Sequence, residues 1–147
     1  MMRSNPKITR VQLKVNQNNE SVLIGLVSAE PDYKLSLTLN RILKISLKNS
    51  VPVVLTDGSG SEVTFSRFSD NNSAHGPSFD LIANRTEKSC LIKKLKNIDY
   101  FFRIHNPENK TAADRILNSL RKTETVTAVL NIDIKSFKDK NLHLITE

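Results

Sequence analysis

The chain has no tryptophan, one cysteine and an aromatic content of only 5%. The single cysteine, Cys90, excludes an internal disulfide and fits a reducing compartment. No stretch approaches the roughly 18 consecutive apolar residues that span a bilayer. The N-terminus, MMRSNPKITR, carries charge with no apolar stretch after it, so no secretion signal is read there. A cytoplasmic setting away from membranes is expected. The apolar fraction, 38%, is low but sufficient for one modest core in 147 residues. One domain over 1–147 is expected, with 1–7 a loose tail.

Motifs of catalysis are equally scarce. His75, His105 and His143 have no companion at a His-x-x-x-His spacing, and Cys90 has no cysteine partner. No metal or cofactor is expected from such a pattern. Gly58-Ser59-Gly60 lies between two strand signals, so it reads as a hairpin turn. A nucleophile elbow or a phosphate loop would need a helix immediately after it. Asp70-Asn71-Asn72 lacks the spaced oxygens and closing Glu of a calcium loop. His105 is the best single acid–base candidate, because imidazole titrates near neutrality. It would need Asp99 or Asp133 beside it to set its tautomer; otherwise it simply ends a strand.

What the sequence does have is alternation. Residues 91–104, LIKKLKNIDYFFRI, read as the clearest strand. Ile98, Tyr100, Phe102 and Ile104 fall on one face and Phe101 puts an aromatic on the other, as in an interior strand. Val11, Leu13 and Val15 alternate in a short strand, and 22–27 is a continuous apolar run fit for a central one. Pro31 suits a first helical position, and Leu35, Leu39, Ile42 and Leu43 follow at helical spacing. Strand signals recur at 51–55, 63–68 and 79–83, with Pro52 at an edge or strand start. Asn106-Pro107-Glu108 resembles a helix start before the stripe Ala112, Ala113, Ile116, Leu117 and Leu120. Val126, Ala128, Leu130, Ile132 and Ile134 predict a long strand, and Leu142 with Leu144 a small last one. The fold class expected is α+β: a mainly antiparallel sheet with two amphipathic helices on one face, with a ferredoxin-like core and extra strands as the candidate topology.

The segment around Tyr100 resembles the bacterial IPExxxVDY family. Ile92 matches the first motif position, and Ile98, Asp99 and Tyr100 match the last three conservatively. Lys93 and Lys94 stand where the family has Pro and Glu, so a rigid acidic entry has become a flexible basic one. Asp32-Tyr33-Lys34-Leu35 and the run 131–145 look similar to the family as well. The resemblance implies no activity and supplies no catalytic residues.

Net charge is +7. Lys34, Arg41, Lys44 and Lys48 fall within about a quarter-turn at helical angles. Lys88, Lys93, Lys94 and Lys96 form a second cluster. Either cluster is a solvated surface or a contact for nucleic acid or another anion. Base stacking would need exposed aromatics, and Phe101 is the only spare one. Tyr33 and Tyr100, each beside an Asp, read as structural tyrosines at a helix–sheet boundary. The leading expectation is a non-catalytic protein-interaction module that self-associates as a homodimer or binds a protein partner, because Phe101 and Val129 put apolar surface on strand faces that two helices do not cover. Weak nucleic-acid binding through the lysines and an enzyme built around His105 are the alternatives.

Overall fold

The computed structural model describes residues 21–71 and 76–146. The expected tail, the Val11–Leu13–Val15 strand and the loop carrying His75 lie outside or across these limits. Eight strands and three α-helices follow in order: β1 (Ser21–Ser28), α1 (Asp32–Leu43), β2 (Lys48–Asn49), β3 (Val53–Thr56), β4 (Glu62–Phe65), β5 (Arg67–Asp70), β6 (Ser78–Ala83), β7 (Tyr100–His105), α2 (Lys110–Arg121), β8 (Val126–Ile132) and α3 (His143–Thr146). A 3₁₀ turn, Lys93–Leu95, precedes β7. The protein is α+β, as its alternation predicts.

Six strands form one sheet in the order β2-β5-β6-β7-β1-β8, and β3 pairs with β4 in a separate ribbon. Every pairing is antiparallel. The path β1-α1-β6-β7-α2-β8 has the βαββαβ connectivity of a ferredoxin-like core, with β2 to β5 inserted after α1. The turn from β3 to β4 is tied by Asp57, whose Oδ1 accepts from the Ser59 and Ser61 N–H groups at 2.9 and 3.0 Å. These bonds, with one from the Ser59 hydroxyl, hold the Asp57 carboxyl below its ordinary pKa.

Register assigns each sheet residue to a face, because successive strand side chains alternate. Val22, Ile24 and Leu26 align with Ile104, Phe102 and Tyr100, and these with Phe79, Leu81 and Ala83. This face lies under the helices: Ala113 and Leu117 of α2 share a groove with Val22 and Ile24. Leu35 and Leu39 are the fully buried residues of α1.

The second face carries Leu23, Gly25, Phe101, Ile82, Arg103 and Asp80. Here the chain covers itself. Ile98 sits over Gly25 so closely that an added Cβ would stand 2.5 Å from its Cδ1. Asn141 donates through Nδ2 to the Leu91 carbonyl (2.9 Å), and Arg103 donates through Nη1 to that of Ile145 (3.5 Å). Leu91, Ile92, Ile98, Leu142 and Ile145 are all buried. Phe101 is 0% exposed and takes part in the core, so it is not a spare surface aromatic.

Several local expectations are corrected. The run 91–99 is not strand; it folds as the 3₁₀ turn and a tight bend, and β7 begins at Tyr100. Asn84 is the reason. Fully buried, it accepts from the Ile92 N–H at 2.8 Å and donates to the Leu95 and Ile98 carbonyls at 2.9 Å each. Its backbone N–H also donates to the Asp99 carbonyl and its own carbonyl accepts from Leu91. Leu142 and Leu144 lie at the short helix α3, where backbone bonds run three residues back, not in a strand. Pro31 is the N-cap of α1 and not its first turn. The cap of α2 is Asn109, whose side chain accepts from the Ala112 N–H at 2.7 Å. Asn106 instead adopts φ 59°, a left-handed turn that ends β7. Ile134 falls beyond β8, where Asp133 turns the chain.

Asn84→Ala leaves a buried N–H and two carbonyls without their partner. Stability in urea should fall by on the order of 3 kcal/mol with an unchanged denaturant slope. A loss well under 1 kcal/mol would show that this side chain does not organise the 85–98 loop.

Candidate functional site

β8 is the feature that the rest of the fold leaves unfinished. Its alternation makes it a strand, and β1 is its partner, with Leu23 opposite Ile132, Gly25 opposite Leu130 and Val27 opposite Ala128. The register then slips, so that Ser28 faces Val126 and Thr127 is an extra, bulged residue. The Thr127 hydroxyl donates to the Val27 carbonyl at 2.9 Å and pins that bulge. From Ala128 to Ile132 the ladder is regular. β8 ends the sheet, and among the described residues no strand pairs with its outer side. Its sequence, VTAVLNI, holds no charge and no proline.

Sheet edges present a row of unpaired N–H and C=O groups, and proteins blunt them with charge, proline or brevity. The opposite edge follows that rule: β2 is two residues long and begins with a lysine. β8 has seven residues and only its bulge at one end. Leu130 is 47% exposed, Ala128 is exposed, and Val129 is half-buried on the helix side. Of the two residues expected to need a partner's cover, Phe101 therefore has it within the chain, and the uncovered apolar residue of β8 is Leu130.

The lysines are dispersed by the fold. Lys34 and Arg41 are exposed on α1. Lys44 is the left-handed C-cap of that helix and Lys48 lies on β2, so these four residues do not share one helix face. Lys88, Lys93 and Lys96 are exposed around the loop before β7. Lys94 is engaged: its Nζ donates to the Lys138 carbonyl at 2.6 Å and lies 6.0 Å from the centre of the Phe137 ring. Tyr33, at 56% exposure, is a surface residue of α1 and not a buried boundary tyrosine.

Among the described residues, no carboxylate is hydrogen-bonded to the His105 ring, as an imidazole base needs. Its Nδ1 lies 3.1 Å from Arg103 Nη2 and 3.1 Å from Ser21 Oγ. A guanidinium only donates, so Nδ1 can only be the acceptor in the contact with Arg103. Asp99 and Asp133 are occupied elsewhere: Asp99 accepts from the Ser28 N–H at 2.9 Å, and Asp133 from Ser136 and Lys135 in its own turn. Arg103 is turned instead to a buried pair with Asp80 at 3.7 Å, which also receives Arg67 at 3.6 Å and the Ser69 hydroxyl. Burial lowers the Arg103 pKa and the Asp80 carboxylate opposes that shift. Sequence reading did not bring Asp80 and Arg103 together, because their meeting depends on strand register. The Cys90 thiol is pushed up by burial and donates to the Ile92 carbonyl, the environment of an inert cysteine.

The motif residues are structural in this chain. Ile92, Ile98 and Tyr100 are buried. Asp99 and Tyr100 both fasten the connection from β1 to α1: Asp99 through the Ser28 N–H, and Tyr100 through a 2.6 Å bond from its hydroxyl to the Glu30 carbonyl. Lys93 and Lys94, at the positions of the family's Pro and Glu, form the 3₁₀ turn. In comparisons with known proteins, no family model matches the chain and no curated protein does. The resemblance thus rests on the residues of the sequence alone.

Burial, followed by the nearby carboxylates of Asp32, Asp99 and Glu30, pushes the Tyr100 hydroxyl up to about 12. A pKa raised on folding gives stability that is complete below the unfolded value, about 10, and is lost as pH climbs through the folded one. Stability should therefore fall between roughly pH 10 and 12, together with a late-titrating phenolate absorbance. Tyr100→Phe should remove that late step and flatten this part of the profile. An unchanged phenolate titration in Tyr100→Phe would contradict the assignment.

Proposed function

We propose that this protein is a non-catalytic protein-interaction module that self-associates. The observation that carries the reading is the outer edge of β8, unpaired among the described residues: long, uncharged and lined by an exposed leucine, in a chain that covers both faces of its central strands and blunts the other edge of that sheet. An added strand satisfies the outer backbone groups of β8 and removes Leu130 from water, the two gains of strand addition. The β3–β4 ribbon also has open edges, with Val54 exposed, but its strands are only four residues long and β4 begins with the charged Glu62.

Two further observations weigh against the alternatives. Nucleic-acid binding by stacking loses Phe101 to the core and Lys94 to a carbonyl. For an enzyme around His105, the described partners of the ring are Arg103 and Ser21, and no carboxylate is among them. Among the described residues, no helix is long and apolar enough to cross a membrane.

Light scattering on the purified full chain, from dilute to concentrated solution, tests the reading. The mean mass should rise from that of one chain, 16.6 kDa, toward twice that value. A mass that stays at one chain throughout would refute self-association.

A further inference from the structure

Resting on the reading of β8 as a self-association element, we infer that its occupant is β8 of a second copy, antiparallel, about a two-fold axis that passes between the Leu130 residues of the two copies. The sheets of the two copies join into one continuous sheet with the helices of both on the same side.

Geometry selects this axis. A two-fold axis perpendicular to the sheet keeps each face on its own side. Residues directly opposite each other must then point the same way, which places the axis at the level of a residue and not between two. The bulge at Thr127 bends the strand there, so the straight part of the edge is 128–132. Leu130 is its middle residue. Centring on it pairs all five positions, whereas any other centre leaves positions of the straight segment unpaired.

The side chains fit the same choice. On the face away from the helices, Leu130 meets the partner's Leu130, and Ala128 meets the partner's Ile132. On the helix side, Val129 meets the partner's Asn131. Side chains in such opposed pairs stand about 4.5–5.5 Å apart at Cβ, close enough to exclude water between the leucines. Each copy has a net charge of +7, yet β8 holds none of it, so two copies meet without opposed like charges at this line. The contact is small beside the roughly 1,200–2,000 Å² of a standard stable interface. Association is accordingly concentration-dependent, and a single edge residue controls it.

The test uses full-length chains and two kinds of variant. Leu130→Lys places ammonium groups opposite each other across the axis. It should be monomeric where the natural chain is dimeric, with an unchanged circular dichroism spectrum because Leu130 is exposed. An equimolar mixture of Leu130→Lys and Leu130→Glu should recover the dimer. In a Cys90→Ser background, Leu130→Cys should oxidise to a disulfide-linked dimer. In that background Val129→Cys should not link to itself but should link to Asn131→Cys when the two are mixed. A natural chain that dimerises while Leu130→Lys still dimerises and Leu130→Cys does not link would overturn this axis and leave self-association standing. A natural chain that stays monomeric, with β8 amides protected all the same, would mean that another segment of the same chain holds the edge; it would overturn both.

Discussion

The constraint on which this fold turns is a central strand that is apolar on both faces. β7 puts Tyr100, Phe102 and Ile104 toward the helices and Phe101 the other way, and all four are buried. Phe101 alone represents several kcal/mol of side-chain burial, about 3–5 kcal/mol by what its removal from a core costs. One helical layer does not bury both faces. The C-terminal segment beyond β8 and the loop before β7 must therefore fold over the second face, and each is fastened by a polar group: Asn141 to the Leu91 carbonyl, Arg103 to that of Ile145, Asn84 to the loop. These are hydrogen bonds made in places shielded from water, where an unmade one is costly. Arg103 with Asp80 is the most exacting of them, since a buried ion pair adds little net stability yet losing one partner leaves a charge stranded.

Cover over the central strands leaves the margins of the sheet as its open parts, and at β8 Ala128 and Leu130 stay exposed. One margin, β2, is short and starts with a lysine; the other, β8, is long and neutral. The described basic residues lie elsewhere, among them Lys34 and Arg41 on α1 and Lys88, Lys93 and Lys96 in the loop before β7. Their general effect is repulsion between copies at long range, which salt screens. In the proposed dimer, short-range pairing at β8 sets which orientation is allowed, and the neutral strand confers specificity.

Much of the fold is legible in the sequence because it is written in local periods. The apolar run of β1, the helical stripes of α1 and α2, and the Asp57-Gly58 hairpin all follow from neighbours in the chain. The misreadings have a common cause. Ile92 and Ile98 look like strand residues by spacing, but Asn84 pulls their backbones into a turn. Leu142 and Leu144 alternate, yet tight backbone turns around Asp139 and Asn141 make a helix of them. Asn106 looks like a cap, but the left-handed turn it adopts moves the cap to Asn109. In each case a partner distant in sequence, or a turn chosen by the fold, outweighs the local pattern. The candidate site divides in the same way. That β8 is uncharged is plain in VTAVLNI, whereas its place at the margin of the sheet depends on strand order, which no local pattern states.

Amide hydrogen exchange of β8, followed residue by residue as protein concentration rises, tests the central claim most directly. Outward-facing amides within 128–132 are expected to slow as the concentration increases, while those of the buried β7 do not change. Exchange in β8 that is independent of concentration would contradict it.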